Sequence, residues 1–181
     1  MTMLWQDVRH QLAAVPGDDP ALAGERPIIY VDTACQRLNH INIEPEKSTY
    51  YPISTAAAGL GNRLDSHRTP FGIHRIKQKI GAGEPSGMIF KARQATGRIS
   101  TQSDNREEDE ITSRILWLDG MQQGINLGGA CDTFSRYIYI HGTSDEQRIG
   151  QAVSHGCIRM KNKDVIALFD EVLPGDLVFI K

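Results

Sequence analysis

Tyr137-Ile138-Tyr139-Ile140-His141-Gly142-Thr143 and, a short loop later, Ser154-His155-Gly156-Cys157-Ile158-Arg159 decide how this chain is read. Alternation along the first stretch predicts a strand over 137–141, with Tyr137, Tyr139 and His141 on one face and Ile138 and Ile140 on the core-facing side. If 153–159 is also extended, Val153, His155, Cys157 and Arg159 share a face. One thiol, two imidazoles and one guanidinium can then converge. A free thiol titrates near ~8.5, so it needs a base or a positive neighbour to act as a nucleophile at neutral pH. These residues contain both, together with backbone amides for an oxyanion. Cys157 is the candidate nucleophile, and His141 and His155 are alternative bases. Gly142 and Gly156 sit beside the candidate residues, where close backbone approach is useful. Arg159, Ser154 and Tyr139 are the candidate substrate contacts, Arg159 through a bidentate grip on a substrate carboxylate or, as the alternative, paired with an acidic neighbour of its own chain.

The rest of the chain supports a β-rich domain around this site. Short apolar or alternating runs at 28–31, 37–41, 49–54, 71–76, 88–91, 111–118, 134–141 and 176–181, separated by Gly-rich turns, predict a mostly antiparallel sandwich or barrel. Pro52 marks its strand as an edge or a strand end. Leu4, Trp5, Val8, Leu12 and Val15 fall at helical spacing, so 3–15 reads as a short amphipathic helix ended by Pro16-Gly17. Asn162 is a plausible N-cap for a second helix over 163–173, with Val165, Leu168, Phe169 and Val172 on one face and Pro174-Gly175 as the stop. The organisation expected is an N-terminal helix and linker over 1–26 and a catalytic domain over 27–181. Thr101–Glu110 is polar and acidic, and reads as a solvated loop, with a lid over the site as the alternative.

Composition excludes other classes. The 181 residues suit one domain with a real core. A net charge of −2 gives no phosphate-binding surface, so no nucleic-acid partner is expected. No run approaches the ~20 apolar residues of a membrane span, so no membrane partner is expected. The first ten residues lack a basic region followed by an apolar run. The expectation is therefore no signal peptide and a cytoplasmic protein, or a periplasmic one if a leader preceded it. The three cysteines, 35, 131 and 157, are read as free thiols.

Ile140-His141-Gly142-Thr143 followed by Ser154-His155-Gly156-Cys157-Ile158-Arg159 resembles the signature of the L,D-transpeptidase, or YkuD-domain, family: a His, a spacer, then Ser/Thr-His-Gly-Cys. Here thirteen residues, 142–154, separate His141 from His155. Upstream, Ser54–Gly61 and Thr69-Pro70-Phe71-Gly72 are similar to the family's Gly-rich segment and its Thr-Pro-x-Gly. Downstream, Asn162–Val165 and Pro174–Val178 are similar to its closing helix and strand. Arg159 stands where some members carry Asn. The resemblance implies Cys157 as nucleophile and His141 as general base, oriented by the Gly142 carbonyl. It implies that His155 lines the site and that the amides of 155–157 form the oxyanion hole.

The resemblance also implies a substrate. The donor is a peptidoglycan tetrapeptide or muropeptide, attacked at the bond from meso-diaminopimelate to terminal D-alanine through a Cys157 thioester. Water as acceptor makes the enzyme an L,D-carboxypeptidase of wall recycling, the favoured outcome given the expected location. An amine acceptor makes it a transpeptidase, the alternative. Carbapenems are expected to acylate the thiol, and no cofactor or metal is expected. A zinc hydrolase using His141, His155 and Cys157 is a distant alternative, because compact metal-ligand spacing is missing. A catalytically dead wall-binding module is opposed by the intact Cys157 and His141.

Overall fold

A computed structural model describes residues 26–42, 47–100 and 110–181. The helix expected at 3–15 and most of the acidic loop expected at 101–110 lie outside the described residues. Among the described residues the chain forms β1 (Ile28–Asp32), β2 (Arg37–Ile41), β3 (Thr49–Ser54), β4 (Gly72–Ile80), β5 (Met88–Lys91), β6 (Gln94–Ile99), β7 (Ile111–Gly120), β8 (Tyr139–Thr143), β9 (Ile158–Met160), the helix α1 (Asn162–Glu171) and β10 (Leu177–Ile180). The sheet runs β4-β10-β1-β2-β3-β9-β8-β7, and β7 pairs back onto β4. That closing pair turns the sheet into a barrel and leaves β5 and β6 as a hairpin hanging from the start of β7. The pairings are antiparallel except β1 with β10 and β8 with β9. A mostly β, barrel-like domain is what the alternation predicts.

β1 and β10 show how the alternation fills both faces. Ile29, Val31, Val178 and Ile180 enter the main core cluster, while Ile28, Tyr30, Leu177 and Phe179 enter a second cluster with Ile41 and Ile73. A strand buried on both faces reads as a continuous apolar run, as Ile28-Ile29-Tyr30-Val31 does. α1 adds Val165, Leu168 and Phe169, and its C-cap Val172, to the main cluster that also holds Leu116, Leu118, Ile140 and Ile158. At its C-terminal end, Lys79 Nζ donates to the carbonyls of Phe169 and Val172 at 2.5 and 2.6 Å, covering groups the helix cannot pair.

Four expectations are corrected. The strand expected at 134–141 begins only at Tyr139. Asp132 accepts the N–H groups of Ser135 and Gly128 at 2.8 and 2.9 Å, and the tight turn it organises ends with Tyr137 at φ +56°. A side chain closing a local turn overrides the alternation. The extended stretch expected at 153–159 is a strand only from Ile158. Asn162 is the first helical residue and not the cap; its N–H donates to Glu146 Oε1 at 2.7 Å, so a distant carboxylate does the capping. Finally, β6 was not expected, because its residues are exposed throughout and show no apolar alternation. Pro52 lies inside β3, opposite Arg37 of β2, and not at a strand end; it is tolerated because β9 pairs with β3 only at Ile53 and Ser54, which leaves its other side unpaired.

Candidate active site

The parallel pairing of β8 and β9 sets Ile140 opposite Ile158 and His141 opposite Arg159. Ile140 and Ile158 point into the main core cluster. Tyr139 and His141 therefore take the opposite face, and Cys157, one residue before Ile158, joins them there. His141 and Cys157 are diagonal neighbours across the strand pair. The sulfur packs against the cluster of Met88, Phe90, Ile115, Trp117 and Tyr139, and Sγ lies 3.5 Å from the carbonyl oxygen of Tyr137.

His141 is buried, and its Nδ1 lies 2.7 Å from the carbonyl oxygen of Gly142. A carbonyl only accepts, so Nδ1 carries the proton and the lone pair sits on Nε2. That tautomer suits a base. Gly142 is held in place by β7 and α1. A Cβ there would lie 2.6 Å from the Thr112 carbonyl oxygen and 2.7 Å from Asn162 Oδ1. The same Asn162 oxygen accepts from the hydroxyls of Thr112 and Ser113 at 2.7 and 2.5 Å, and its Nδ2 donates to the Thr143 carbonyl at 3.0 Å. These bonds pin a bulge in β7, where the register against β8 shifts between Thr112 and Ile115.

The loop before β9 is shaped by two hydroxyls. Ser154 Oγ donates to the Cys157 carbonyl at 2.6 Å and accepts the Gly156 N–H at 3.2 Å. Thr69 Oγ1 donates to the Gly156 carbonyl at 3.0 Å and accepts the Ala56 N–H at 2.9 Å. Gly156 has φ +136°, a conformation that side chains rarely adopt. Because Thr69 holds the Gly156 carbonyl, the Cys157 N–H on the same planar peptide is aimed the other way. The Gly156 N–H is engaged with Ser154, so of the amides of 155–157 it is not available to an oxyanion.

The residues expected to contact substrate are enclosed by protein. Arg159 is 1 % exposed, so its guanidinium does not face solvent. Ser154 is buried and commits its hydroxyl within the loop. Tyr139 is also buried; its Oη accepts from Arg93 Nη1 at 3.3 Å, and burial lifts its phenol above the usual range, so it stays neutral. His155 is exposed and meets His67 edge-on, with ring centroids 6.1 Å apart. Among the described residues no group of three or more His, Cys, Asp or Glu is placed to share a metal, so the zinc reading has no ligand set there.

Two arginines that sequence reasoning did not single out stand near the site, Arg136 within electrostatic reach of the sulfur and Arg93 on the aromatic residues around it. Arg136 donates to the carbonyls of Gly61 and Arg68 at 3.1 and 2.7 Å and to Ser66 Oγ at 3.4 Å, tying the 61–68 loop to the entry of β8. Burial holds its guanidinium below the usual value, while attraction to Cys157 and Cys131 pulls the other way. By reciprocity this cation favours a Cys157 thiolate. Arg93, in the β5–β6 turn, lies over the rings of Trp117 and Tyr137. Neither is near Cys157 in sequence, and no local pattern marks them.

A sequence profile of the YkuD L,D-transpeptidase catalytic domain matches residues 26–180. The chain belongs to this family. It is 58 % identical over 87 residues to the putative L,D-transpeptidase YkuD of Bacillus subtilis, a match spanning 48 % of this chain and 49 % of that relative. The chain thus spans about half the length of this curated L,D-transpeptidase. Among solved structures it resembles an L,D-transpeptidase of Mycobacterium smegmatis, with a TM-score of 0.53 and 18 % identity over 86 % of this chain and 58 % of the other. It also resembles L,D-transpeptidase 3 of Mycobacterium tuberculosis, solved with a faropenem-derived adduct, at a TM-score of 0.51 and 15 % identity over 86 % and 60 % of the two chains. At those identities the likeness is one of L,D-transpeptidase fold.

Proposed function

We propose that this L,D-transpeptidase-family domain is a cysteine acyl-transfer enzyme acting on peptidoglycan tetrapeptide stems at the bond from meso-diaminopimelate to terminal D-alanine. The observation that carries the reading is the fixed tautomer of His141 on the strand face it shares with Cys157. In the first half-reaction the Cys157 proton passes to His141 Nε2. The thiolate adds to the carbonyl carbon of the L-centre, and a backbone N–H from the Cys157 loop stabilises the oxyanion. Collapse breaks the C–N bond, His141 returns the proton to the departing amine, and D-alanine leaves a Cys157 thioester. Arg136 lowers the cost of the thiolate throughout.

In the second half-reaction an acceptor gives its proton to His141 and adds to the thioester, and the thiol is regenerated. Water is proposed as the acceptor, carrying forward the sequence-based expectation, and yields a tripeptide. An amine acceptor is the second reading, favoured by the name that the B. subtilis relative carries. The test is product analysis by mass spectrometry after incubation with a disaccharide-tetrapeptide, with and without a D-amino acid. Tripeptide plus D-alanine supports hydrolysis. Dimers cross-linked between two diaminopimelate residues, or exchange of the D-amino acid, replace it with transpeptidation. An inert tetrapeptide refutes the substrate assignment.

A further inference from the structure

The β5–β6 hairpin turns on two residues, Ala92 and Arg93, with φ +48° and +68°. Two positive φ values define the turn that favours Asn-Gly, because a Cβ is disfavoured at both positions. An arginine in the second position is therefore strained locally, and strain at a non-glycine residue is a pointer to function. Its side chain is also held from several sides. The guanidinium carbon lies 4.8 Å from the Trp117 ring centroid and 5.0 Å from that of Tyr137, and Nη1 donates to Tyr139 Oη at 3.3 Å. These residues belong to the sulfur's surroundings: Cys157 packs against the cluster that contains Trp117 and Tyr139, and the Tyr137 carbonyl faces Sγ at 3.5 Å.

The other cations of the site are differently employed. Arg159 is buried, and Arg136 turns its N–H groups onto Gly61, Ser66 and Arg68. Arg93 remains partly exposed at the rim, and none of the ion pairs among the described residues involves it. A guanidinium oriented on aromatic faces, with donors left over, is built to take a carboxylate.

We propose that Arg93 is a specificity-determining residue that receives a carboxylate of the acyl donor at the β5–β6 side of Cys157. This rests on the peptidoglycan reading, whose donor carries carboxylates on either side of the scissile bond, among them those of the terminal D-alanine and of the far centre of diaminopimelate.

The test uses Arg93→Gly, because glycine suits φ +68° and the turn should fold at least as well, and Arg93→Lys, which restores the charge. The first readout is independent of substrate: the rates at which iodoacetate and iodoacetamide modify Cys157, followed by peptide mass. In Arg93→Gly the iodoacetate rate should fall about three- to tenfold relative to the iodoacetamide rate, because a cation at the rim attracts only the anionic reagent, whereas any change in the thiolate slows both reagents alike. Arg93→Lys should recover much of that loss. The second readout is kcat/KM on the disaccharide-tetrapeptide, expected to drop about tenfold or more through KM in Arg93→Gly, the scale of a lost charge-assisted pair. Donors amidated at one carboxylate or the other then identify the partner as the group whose removal abolishes sensitivity to the variant. An unchanged iodoacetate-to-iodoacetamide ratio in folded Arg93→Gly overturns the proposal. A wild-type protein inert toward tetrapeptide but with the ratio shifted would instead sink the peptidoglycan reading and leave Arg93 as an anion contact.

Discussion

His141 Nδ1 and the carbonyl oxygen of Gly142 lie 2.7 Å apart, a bond between chain neighbours that sets the tautomer of the candidate base. It depends on Gly142 fitting against Thr112 and Asn162, where a Cβ would come within 2.7 Å of both. Gly142→Ala should therefore cost about 1–3 kcal/mol of stability, the usual scale of overpacking against backbone. Turnover should fall further than stability alone explains, because the carbonyl that orients His141 must shift. Urea unfolding and kcat on one preparation check this; an Ala variant with wild-type kcat would show that the base needs no such orientation.

Cys157→Ala should abolish turnover and leave the fold intact, since no other thiol lies on the His141 face. Cys131, whose Sγ donates to the Gly128 carbonyl at 3.1 Å, should be replaceable by alanine with little catalytic effect. A carbapenem or faropenem should add once to the wild type and not at all to Cys157→Ala, as read by intact mass. An adduct surviving in Cys157→Ala would place the nucleophile elsewhere.

Arg136→Gln should slow alkylation of Cys157 at pH 7 by about three- to tenfold and move its pH profile upward, because a nearby cation favours the thiolate. Arg136→Lys keeps the charge and should retain most of the rate. If Gln and Lys behave alike, Arg136 serves only to hold the loop through Gly61 and Arg68.

Arg159→Ala should act on the fold and not on binding. The side chain is buried in the β8–β9 strand pair, so its loss should cost about 2–5 kcal/mol, as for other large buried truncations. A variant of unaltered stability with a raised KM would restore the substrate-anchor reading.

His74 should make stability pH-dependent. It is fully buried, held by the Gly72 carbonyl and Thr133 Oγ1 at 3.1 and 3.2 Å, and burial pushes it down to about 4. The unfolded chain titrates this group near 6.5, so between 6.5 and 4 the unfolded state binds the extra proton. Its contribution is thus whole above about pH 7, declines as pH falls through that window, and reaches a loss of about 3 kcal/mol near pH 4. Urea midpoints for wild type and His74→Gln at pH 7.5, 6 and 5 should converge as pH falls. Parallel curves would show that His74 does not carry the effect.

Much was legible from sequence because it depends on near neighbours. The unbroken apolar runs of Ile28–Val31 and Leu177–Ile180 report burial directly, since adjacent side chains take opposite faces and both faces are covered. The pairing of Cys157 with His141 could be read because both stand in or beside strands of simple period. The glycines at 142 and 156 could be singled out, although their reasons differ: one is crowded by Thr112 and Asn162, the other has a backbone angle that excludes side chains. What the tertiary structure alone decided is where long-range contacts compete with local pattern. Asp132 bends 132–137 into a turn that the Tyr-Ile alternation conceals, and the pairing of β7 with β4, which settles a barrel over a sandwich, joins strands that no local pattern matches. Burial of Arg159, and placement of Arg136 near the sulfur and of Arg93 on the rings beside it, arise from segments separated by up to 64 residues along the chain. Side-chain charge is written in the sequence, but whether it faces water, a carbonyl or a substrate is set by which strands become neighbours.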